Sequence, residues 1–355
     1  MKPTFYELTC GARRVLIISP GVLGDSVHTL PALWDLRRNY PEAEIHGIAS
    51  PSGAGVMEMA GCMDRLWILE QSSERRTLRA QLQVLGELRG LKFDVSINFS
   101  DNDRNLFHAA FIGARHRLGL RGERWHFWSP WLIHEFSKRG SRDVPMYQQI
   151  RVFLKSAGFL IEGEPRFGLQ VPEAVRGWAA NMIPAGAIHL SINASSPYKE
   201  WSINNWAGLV RLLAERGVPM VATGSDNLRE VARLRELELA VPKGSLRLFP
   251  GGINIAQLAA LIQRCKLHVG ADSGAIHLAM GLGIPTVGVY RDYDGRLEWT
   301  PAASPHAQIM RPCRCLADLQ EDCRLAGTGL CLAAIQPAEV LAAGIEKILG
   351  TAGAA

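Results

Sequence analysis

The sequence of 355 residues has no long hydrophobic run, and its cysteines are few and odd in number. No window approaches the roughly 18–20 consecutive apolar residues that a membrane-spanning helix needs. Residues 1–10 are of mixed polarity and lack the apolar stretch and cleavage site of a secretory signal. Seven cysteines do not form a complete set of pairs, which argues against a disulfide framework. We therefore expect a cytoplasmic protein.

Two common nucleotide-binding signatures are also missing. There is no Walker A motif, and the glycines after the first predicted strand do not form the G-x-G-x-x-G dinucleotide fingerprint. Charged residues make up only 21% of the chain and 35 glycines are spread along it, which excludes disordered, coiled-coil and collagen-like proteins. A chain of this length is expected to form two domains, each with its own core.

Positive charge is concentrated in one segment. The formal net charge is +5, but residues 104–151 hold nine Lys/Arg against three Asp/Glu, a local charge of +6. This basic stretch also contains three tryptophans and four histidines. Such a field favours an anionic partner, and charge alone leaves nucleic acid, phospholipid and small phosphorylated or carboxylated molecules open.

Strand and helix patterns alternate along the chain, and they restart after Pro172. This alternation predicts α/β architecture with parallel sheets, in two doubly wound domains at 1–172 and 173–355, and a ligand site in the cleft between them. Apolar runs predict strands at 13–19, 44–48, 65–69, 93–98, 187–193, 218–223, 267–270 and 286–290. Periodic segments predict helices at 76–90, 105–113, 205–216, 227–237, 255–264, 275–282 and 337–349.

A glycine turn with one carboxylate follows the first strand. Gly21, Gly24 and Asp25 come at the carboxyl end of that strand, where open α/β sheets bind ligands. The glycines allow a ligand to approach the backbone. Asp25 fits two roles, the N-cap of the next helix or a catalytic carboxylate.

A second polar turn, at residues 270–279, also joins a strand to a helix. The backbone N–H groups of Ser273 and Gly274 would lie at the positive end of the helix, a site suited to a diphosphate. Asp272 is placed to accept hydrogen bonds from sugar hydroxyls, or it caps the helix. His277, one turn later, is either a packed histidine or a proton donor.

Two further loops follow strands of the second half. Lys199 lies in the polar loop after the strand at 187–193 and is suited to a phosphate, although a lone loop lysine is commonly just solvated. Gly224 ends the next strand beside Asp226, a carboxylate that fits either a ribose contact or a helix cap.

Taken together and in this order, these motifs resemble the heptosyltransferases of glycosyltransferase family 9. The resemblance extends over residues 13–349, nearly the whole chain. It rests on residues 18–25 (ISPGVLGD), 29–33 (TLPAL), 199–201 (KEW), 270–279 (GADSGAIHLA) and 283–286 (GIPT).

The resemblance implies a GT-B fold, with two Rossmann-like domains facing a central cleft. It implies inverting, metal-independent transfer of heptose from ADP-heptose to an inner-core acceptor of lipopolysaccharide. Asp25 matches the general base of the family, and Lys199 matches its diphosphate-binding lysine. The loop of Asp272, Ser273 and Gly274 matches the donor site, to which we add Gly224 and His277.

In this family the acceptor carries carboxylates and phosphates on a membrane lipid and binds the N-terminal domain. The basic stretch fits that role, and peripheral contact with the inner face of the inner membrane follows as an expectation. Besides Gly21 and Gly24, our candidate acceptor-binding residues are the arginines of the first half of the stretch: Arg104, Arg115, Arg117, Arg121 and Arg124.

One segment departs from the family. Residues 290–294 read YRDYD where a GPTDP-like sequence is common, so a different nucleotide sugar on the same fold is an alternative donor. A non-catalytic nucleotide-sugar-binding protein is a second alternative. A nucleic-acid-binding protein has only the charge in its favour.

A cysteine cluster lies before the last predicted helix. Its spacing is C-x-C-x₇-C-x₇-C, and four thiolates suit tetrahedral zinc or iron. An iron-binding subgroup exists in the family. A structural metal, free or redox-labile thiols, and disulfides are the three alternatives for Cys313, Cys315, Cys323 and Cys331.

Overall fold

The computed structural model describes residues 3–70, 75–121, 127–293, 295–301, 305–313 and 321–352. The chain folds as two compact units, Met1–Gln170 and Val171–Ala355. None of the described helices is both long and apolar enough to cross a bilayer.

The first unit is built on a six-stranded sheet in which every neighbouring pair is parallel. Its spatial order is β3-β2-β1-β4-β5-β6. The inner strand β1 is apolar and buried from Val15 to Ile18, because helices cover both sides of a parallel sheet. The strands are β1 (Arg14–Ile18), β2 (Glu44–Ala49), β3 (Arg65–Ile68), β4 (Val95–Asn98), β5 (His116–Leu120) and β6 (Glu135–Ser137).

Helices connect consecutive strands of this sheet. Buried side chains of the helices after β3 and β4 pack with Leu16 and Ile18 of β1 in one core. The helices are α1 (Phe5–Thr9), α2 (Leu23–Asn39), α3 (Pro51–Ala60), α4 (Arg75–Gly90), α5 (Asp103–Ile112), α6 (Ser129–Leu132) and α7 (Met146–Ser156).

The second unit repeats this arrangement. Its six strands are again parallel, in the order β12-β11-β10-β7-β8-β9. Its core joins strand residues with Trp201 and Trp206, both fully buried. The strands are β7 (Ile188–Ser191), β8 (Met220–Gly224), β9 (Arg247–Pro250), β10 (Leu267–Ala271), β11 (Thr286–Val289) and β12 (His306–Ile309).

The C-terminal helix differs from its predicted form. The sequence predicts one α-helix at 337–349, whereas the structure has an α-turn, a π-helical segment Val340–Glu346 and a last α-helical segment. Gly344 in the π-helical segment lies so close to Val287 that a side chain would clash. The helices of this unit are α8 (Glu173–Met182), α9 (Ile203–Ala214), α10 (Leu228–Ala240), α11 (Ile255–Arg264), α12 (Gly274–Gly281), α13 (Glu321–Ala326), α14 (Leu330–Ala333), α15 (Pro337–Glu339) and α16 (Lys347–Ala352).

Two histidines form a polar pair inside the second sheet. His189 on β7 and His268 on β10 are fully buried, and their Nδ1 atoms are 2.8 Å apart. His189 Nε2 also lies 3.0 Å from Thr223 Oγ1. Burial lowers the pKa of His189 to about 3 and the pKa of His268 well below 6.5, so both rings are neutral at pH 7.

Both sheets have a topological switch point, where the strand order reverses. In the first unit it lies between β1 and β4, and in the second between β7 and β10. Open α/β sheets bind ligands at the carboxyl ends of the strands that flank such a point. The loops after these four strands therefore define one candidate ligand site in each unit.

Candidate functional site

Asp25 lies at the switch point of the first unit, in the first turn of α2. The N-cap of α2 is Val22 and Asp25 is the third residue of the helix, so of the two roles offered by the sequence the N-cap role is wrong. Its Oδ2 accepts a hydrogen bond from the Val22 N–H at 3.0 Å. Its Oδ1 receives no hydrogen bond from any residue that the structure describes. One carboxylate oxygen is thus held by the helix terminus, and the other is available to a ligand.

The glycine turn before Asp25 is fixed by the neighbouring helix α3. Ser50, the N-cap of α3, donates its hydroxyl to the Gly21 carbonyl at 2.6 Å. Ser26 Oγ lies 3.3 Å from the same carbonyl. A side chain on Gly21 would clash with Asp25, and one on Gly53 would clash with Ser26. Gly21 therefore permits the close packing that orients the carboxylate.

Burial raises the pKa of Asp25, while the Val22 hydrogen bond and the Arg139 guanidinium act in the opposite direction. A carboxylate with a raised pKa is a stronger base than a solvated one. These properties suit a general base.

The sequence did not single out Asn98, which lies beside this loop. Asn98 ends β4 and is in register with Ile18, the last residue of β1. Its side chain is buried, and its Nδ2 atom donates to no group among the described residues. The sequence signal that could have identified Asn98 is a polar amide as the last residue of a predicted strand.

The candidate arginines lie at different edges of the first sheet. Arg104, in the first turn of α5, and Arg121, directly after β5, lie at the carboxyl edge, as Asp25 does. Arg115 precedes β5 and Arg117 is near its start, so both lie at the amino edge. Arg124 is outside the described residues.

Arg117 therefore does not join this site. Its Nε donates to the Leu132 carbonyl at 2.7 Å and its Nη1 to the Ala114 carbonyl at 3.0 Å. Burial lowers the pKa of this guanidinium. The assignment of Arg117 to acceptor binding is therefore corrected. Its guanidinium N–H groups are used in joining the start of β5 to the end of α6.

The switch point of the second unit brings Lys199 and Asp272 together. Lys199 Nζ lies 2.7 Å from Asp272 Oδ2, although 73 residues separate them in sequence. Lys199 ends a short 3₁₀ turn in the loop after β7, and Asp272 directly follows β10. The carboxylate is buried, whereas the Lys199 side chain is 28% exposed. An ammonium and a carboxylate side by side can serve a phosphate and a sugar hydroxyl respectively.

The loop that carries Lys199 is held by a buried carboxylate. Glu200 Oε1 accepts the Ala194 N–H at 3.0 Å and lies 2.6 Å from Arg229 Nη1. Arg233 Nε lies 3.3 Å from the other oxygen of Glu200. These contacts join both ends of the loop to α10 and give Lys199 a defined position.

The turn at the start of α12 completes this edge. Ser273 is the N-cap, and its hydroxyl lies 3.1 Å from Ser191 Oγ at the end of β7. Gly274 is the first helical residue, and the first N–H groups of a helix have no partner within it. His277 is buried within α12 against Trp299, and burial lowers its pKa to about 4. At pH 7 this histidine is neutral, so it is not the imidazolium that a general acid would require.

Gly224 lies at the end of β8, next to the strand that leads to Lys199. A side chain there would clash with Leu234 and crowd Asn193. Beside it, Asp226 Oδ1 accepts the Gly252 N–H at 2.7 Å, and Asn227 is the N-cap of α10. The position of Gly224 thus serves the packing of α10 on the sheet.

Two residues of the segment that departs from the family pattern lie at this site. The Tyr293 hydroxyl donates to Asp272 Oδ2 at 3.1 Å. Lys199 Nζ is 5.3 Å and Arg291 Cζ 5.2 Å from the centre of the Tyr293 ring. Sequence patterns did not identify either residue as a site residue, because they follow a strand without a glycine turn.

The predicted four-cysteine metal site gains no support. Among the described residues, no group of three or more His, Cys, Asp or Glu side chains is arranged to hold a metal ion. Cys315 lies outside the described residues. Cys323 is buried and its sulfur lies 3.5 Å from the Leu330 N–H, while burial and the nearby Cys313 raise the pKa of Cys331. These are the contacts of packed thiols.

Comparison with known proteins gives the class of this site and fold. The family model of glycosyltransferase family 9 (heptosyltransferase) matches residues 82–328, which is well over half of the chain. The chain therefore belongs to glycosyltransferase family 9.

Individual relatives are distant but nearly full-length. The chain is 23% identical over 292 residues to the lipopolysaccharide core heptosyltransferase OpsX of Haemophilus influenzae, covering 81% of each protein. It resembles the structure of Escherichia coli ADP-heptose lipopolysaccharide heptosyltransferase II with a TM-score of 0.76 and 21% identity, covering 95% of this chain and 99% of that one.

A third similar protein is E. coli heptosyltransferase WaaC, whose structure was solved with ADP-2-deoxy-2-fluoro heptose. The TM-score is 0.72 and the identity 17%, with 94% of this chain and 99% of that chain covered. At these identities the likeness shows the fold. The fold is the GT-B type, with two doubly wound α/β domains, as the sequence analysis expected.

Proposed function

We propose that this protein is an inverting glycosyltransferase that moves heptose from ADP-heptose to an inner-core acceptor of lipopolysaccharide. The observation that carries the proposal is that each switch point holds side chains suited to one of the two substrates. One has a carboxylate suited to a base, and the other has a lysine and a carboxylate suited to a sugar diphosphate. The heptosyltransferase relatives support heptose as the sugar.

Asp25 is the proposed general base. A sugar hydroxyl is a weak nucleophile, and removing its proton in the transition state contributes about 10²–10⁴ in rate. Asp25 Oδ1 takes this proton while the acceptor oxygen bonds to the anomeric carbon of the heptose. The bond from that carbon to the diphosphate breaks on the opposite face, which inverts the configuration and releases ADP.

The second unit binds the donor in this proposal. Lys199 and the N-terminus of α12 face the diphosphate, on which negative charge grows as ADP leaves. Asp272 accepts hydrogen bonds from heptose hydroxyls. Since the chain itself supplies these positive groups, we propose that transfer needs neither a divalent cation nor another cofactor.

The first unit binds the acceptor. Its candidate contacts are Gly21 and Gly24 of the glycine turn and the two arginines at the carboxyl edge, Arg104 and Arg121. Both arginine side chains are exposed, as contacts to Kdo carboxylates or phosphates require. No nucleic-acid partner is proposed, because the charge that favoured one is explained by an anionic glycolipid.

A calorimetric panel of sugar nucleotides tests the donor. Purified protein is titrated with ADP-, UDP-, GDP- and CDP-sugars, including ADP-heptose, with and without EDTA. We expect the tightest binding for ADP-heptose and no change with EDTA. If a sugar nucleotide with another nucleobase binds more tightly, the assigned fold is unaffected but ADP-heptose is not the donor. The alternative donor suggested by residues 290–294 would then be supported. Loss of ADP-heptose binding in EDTA would contradict metal independence.

We further propose that the first unit touches the inner membrane through an aromatic patch, formed by Phe107, Phe127, Trp128 and Trp131. Phe127 and Trp131 are 81% and 74% exposed, and Phe107 stacks on Trp128 with ring centres 5.2 Å apart. Exposed aromatic residues next to basic ones favour an anionic membrane interface, where rings enter the headgroup region and cations meet phosphate.

Vesicle sedimentation tests the patch. Replacing Phe127 and Trp131 by serine should weaken binding to anionic phospholipid vesicles about 10-fold or more, because two largely exposed rings no longer enter the interface. Leu228 and Leu239 on α10 are equally exposed, so their double serine variant is the matched control. Equal vesicle binding by wild type and the aromatic variant would contradict the proposed contact.

A further inference from the structure

The positive charges around the Lys199–Asp272 pair are mostly compensated by acidic partners. Lys199 itself is paired with Asp272, and Arg296 Nη1 lies 2.9 Å from Asp292 Oδ1. Arg229 and Arg233 on α10 both pair with Glu200. They also donate hydrogen bonds to backbone carbonyls on either side of the loop that carries Lys199. A nucleoside diphosphate carries several negative charges, so a cation without an acidic partner at this site would strengthen its binding.

Arg291 is the exception. Within the described part of the chain it has no hydrogen bond and no ion pair, and its Nε is buried without a partner. Leaving a buried charged donor unsatisfied costs free energy. Such a group is explained when a ligand completes its hydrogen bonds.

The position of Arg291 places that ligand at the switch-point edge. Arg291 comes two residues after β11, which pairs in parallel with β10, and Asp272 directly follows β10. The side chains of Arg291 and Lys199 both approach the ring of Tyr293, at 5.2 and 5.3 Å from its centre. Tyr293 is itself fixed by its hydrogen bond to Asp272.

This arrangement preorganises a guanidinium for phosphate. A cation held against an aromatic ring keeps its orientation, and the N–H groups of the planar fork stay available for bidentate contact with phosphate oxygens. The Tyr293 ring thus serves as a common support for one ammonium and one guanidinium.

We propose that Arg291 is a second phosphate-binding residue, which binds the diphosphate of the sugar nucleotide together with Lys199. The inference rests on the proposed function, since it assumes a nucleoside diphosphate donor. It adds a binding residue from the segment that departs from the family pattern. It also supplies positive charge that Lys199, paired with Asp272, provides only in part.

Calorimetry with pyrophosphate and ADP tests this role, because pyrophosphate reports on the anion site independently of the base. Arg291→Gln should weaken the binding of both about 10- to 100-fold, the loss expected for a charge-assisted hydrogen bond. Arg291→Lys should recover part of it. Arg247 lies over the Phe249 ring at 5.7 Å on the edge strand β9, so Arg247→Gln is the matched control and should bind as wild type does.

The outcomes separate the two proposals. If wild type binds ADP or pyrophosphate and Arg291→Gln binds them equally well, the role of Arg291 is wrong and the proposed function stands. If wild type binds neither, nor any other nucleoside diphosphate, both proposals fail. If wild type prefers another diphosphate, the same comparison is made with it. If Arg291→Gln does not show a thermal unfolding transition, the test uses Arg291→Lys instead. A folded Arg291→Lys should bind pyrophosphate and ADP more weakly than wild type, because an ammonium cannot make the bidentate contact. Wild-type affinity in this folded variant would overturn the inference.

Discussion

Asp25→Asn is expected to lower the rate of sugar transfer by about 10²–10⁴-fold, the contribution typical of general-base catalysis. The amide has nearly the shape of the carboxylate, and its oxygen can still accept the Val22 N–H that positions the side chain. Donor affinity should remain close to that of wild type, because Asp25 belongs to the first unit. The measurement is turnover with saturating donor and acceptor, together with the calorimetric affinity for ADP.

Two controls accompany this variant. Asp101 is an exposed carboxylate in the loop after β4, at the same edge of the sheet, so Asp101→Asn should leave turnover unchanged. The wild-type rate should also fall as the pH drops through the pKa of Asp25, which lies above its ordinary value of 3.8. Transfer by Asp25→Asn at the wild-type rate would show that another group is the base.

Stability provides a third readout for Asp25. Because its pKa is raised in the folded protein, the ionised carboxylate destabilises the native state at pH 7 relative to a neutral group. Asp25→Asn should therefore unfold at a slightly higher temperature at pH 7, and this difference should vanish at low pH, where both states are protonated. A variant that is inactive but more stable has lost chemistry, not folding.

Lys199→Gln is expected to lower kcat/KM for the donor by about 10²–10³-fold, as when one preorganised donor to a developing negative charge is removed. The glutamine keeps much of the length of the side chain but has no charge to set against the leaving diphosphate. Among the described residues, the substitution also leaves the Tyr293 hydroxyl as the one hydrogen-bond partner of the buried Asp272 carboxylate. Steady-state kinetics and ADP binding together measure the loss.

The matched control for Lys199 is Lys266→Gln. Lys266 is an exposed lysine directly before β10, at the opposite edge of the same sheet, so the variant carries the same change in charge. It should retain wild-type kinetics. An unaltered kcat/KM in Lys199→Gln would exclude a role for this lysine in binding the diphosphate or stabilising it as it leaves.

The sequence predicts the central strands of both sheets well, whereas it misses most of the outer strands and the helices α3, α7 and α8. β1, β4, β7 and β10 are buried on both faces, so they read as short apolar runs. The missed strands are β5, β6, β9 and β12, of which three are the last strands on their side of a sheet. An edge strand is only partly covered, which lets polar residues such as Arg247 of β9 interrupt the apolar run. β5 lies next to an edge strand, and it also begins with two half-buried polar residues, His116 and Arg117.

The candidate site shows a similar division. Asp25, Lys199 and Asp272 could be found because each follows a strand and lies in a recognisable motif. The pairing of Lys199 with Asp272 depends on β7 and β10 being neighbours, which no local pattern encodes. Arg117 was selected by charge, and only the strand register shows that it lies at the amino edge. Sequence motifs therefore identify individual site residues, but they do not show which side chains from different strands contact each other.

The buried histidine pair links the second unit to the acidity of the medium. His189 and His268 take up protons near pH 6.5 when the chain is unfolded, but the folded core keeps both rings neutral. Below about pH 6.5 the unfolded chain therefore binds more protons than the folded one. As a result, the free energy of unfolding decreases as the pH falls. Because β7 and β10 also lead to Lys199 and Asp272, mild acid destabilises the sheet that positions the proposed donor site.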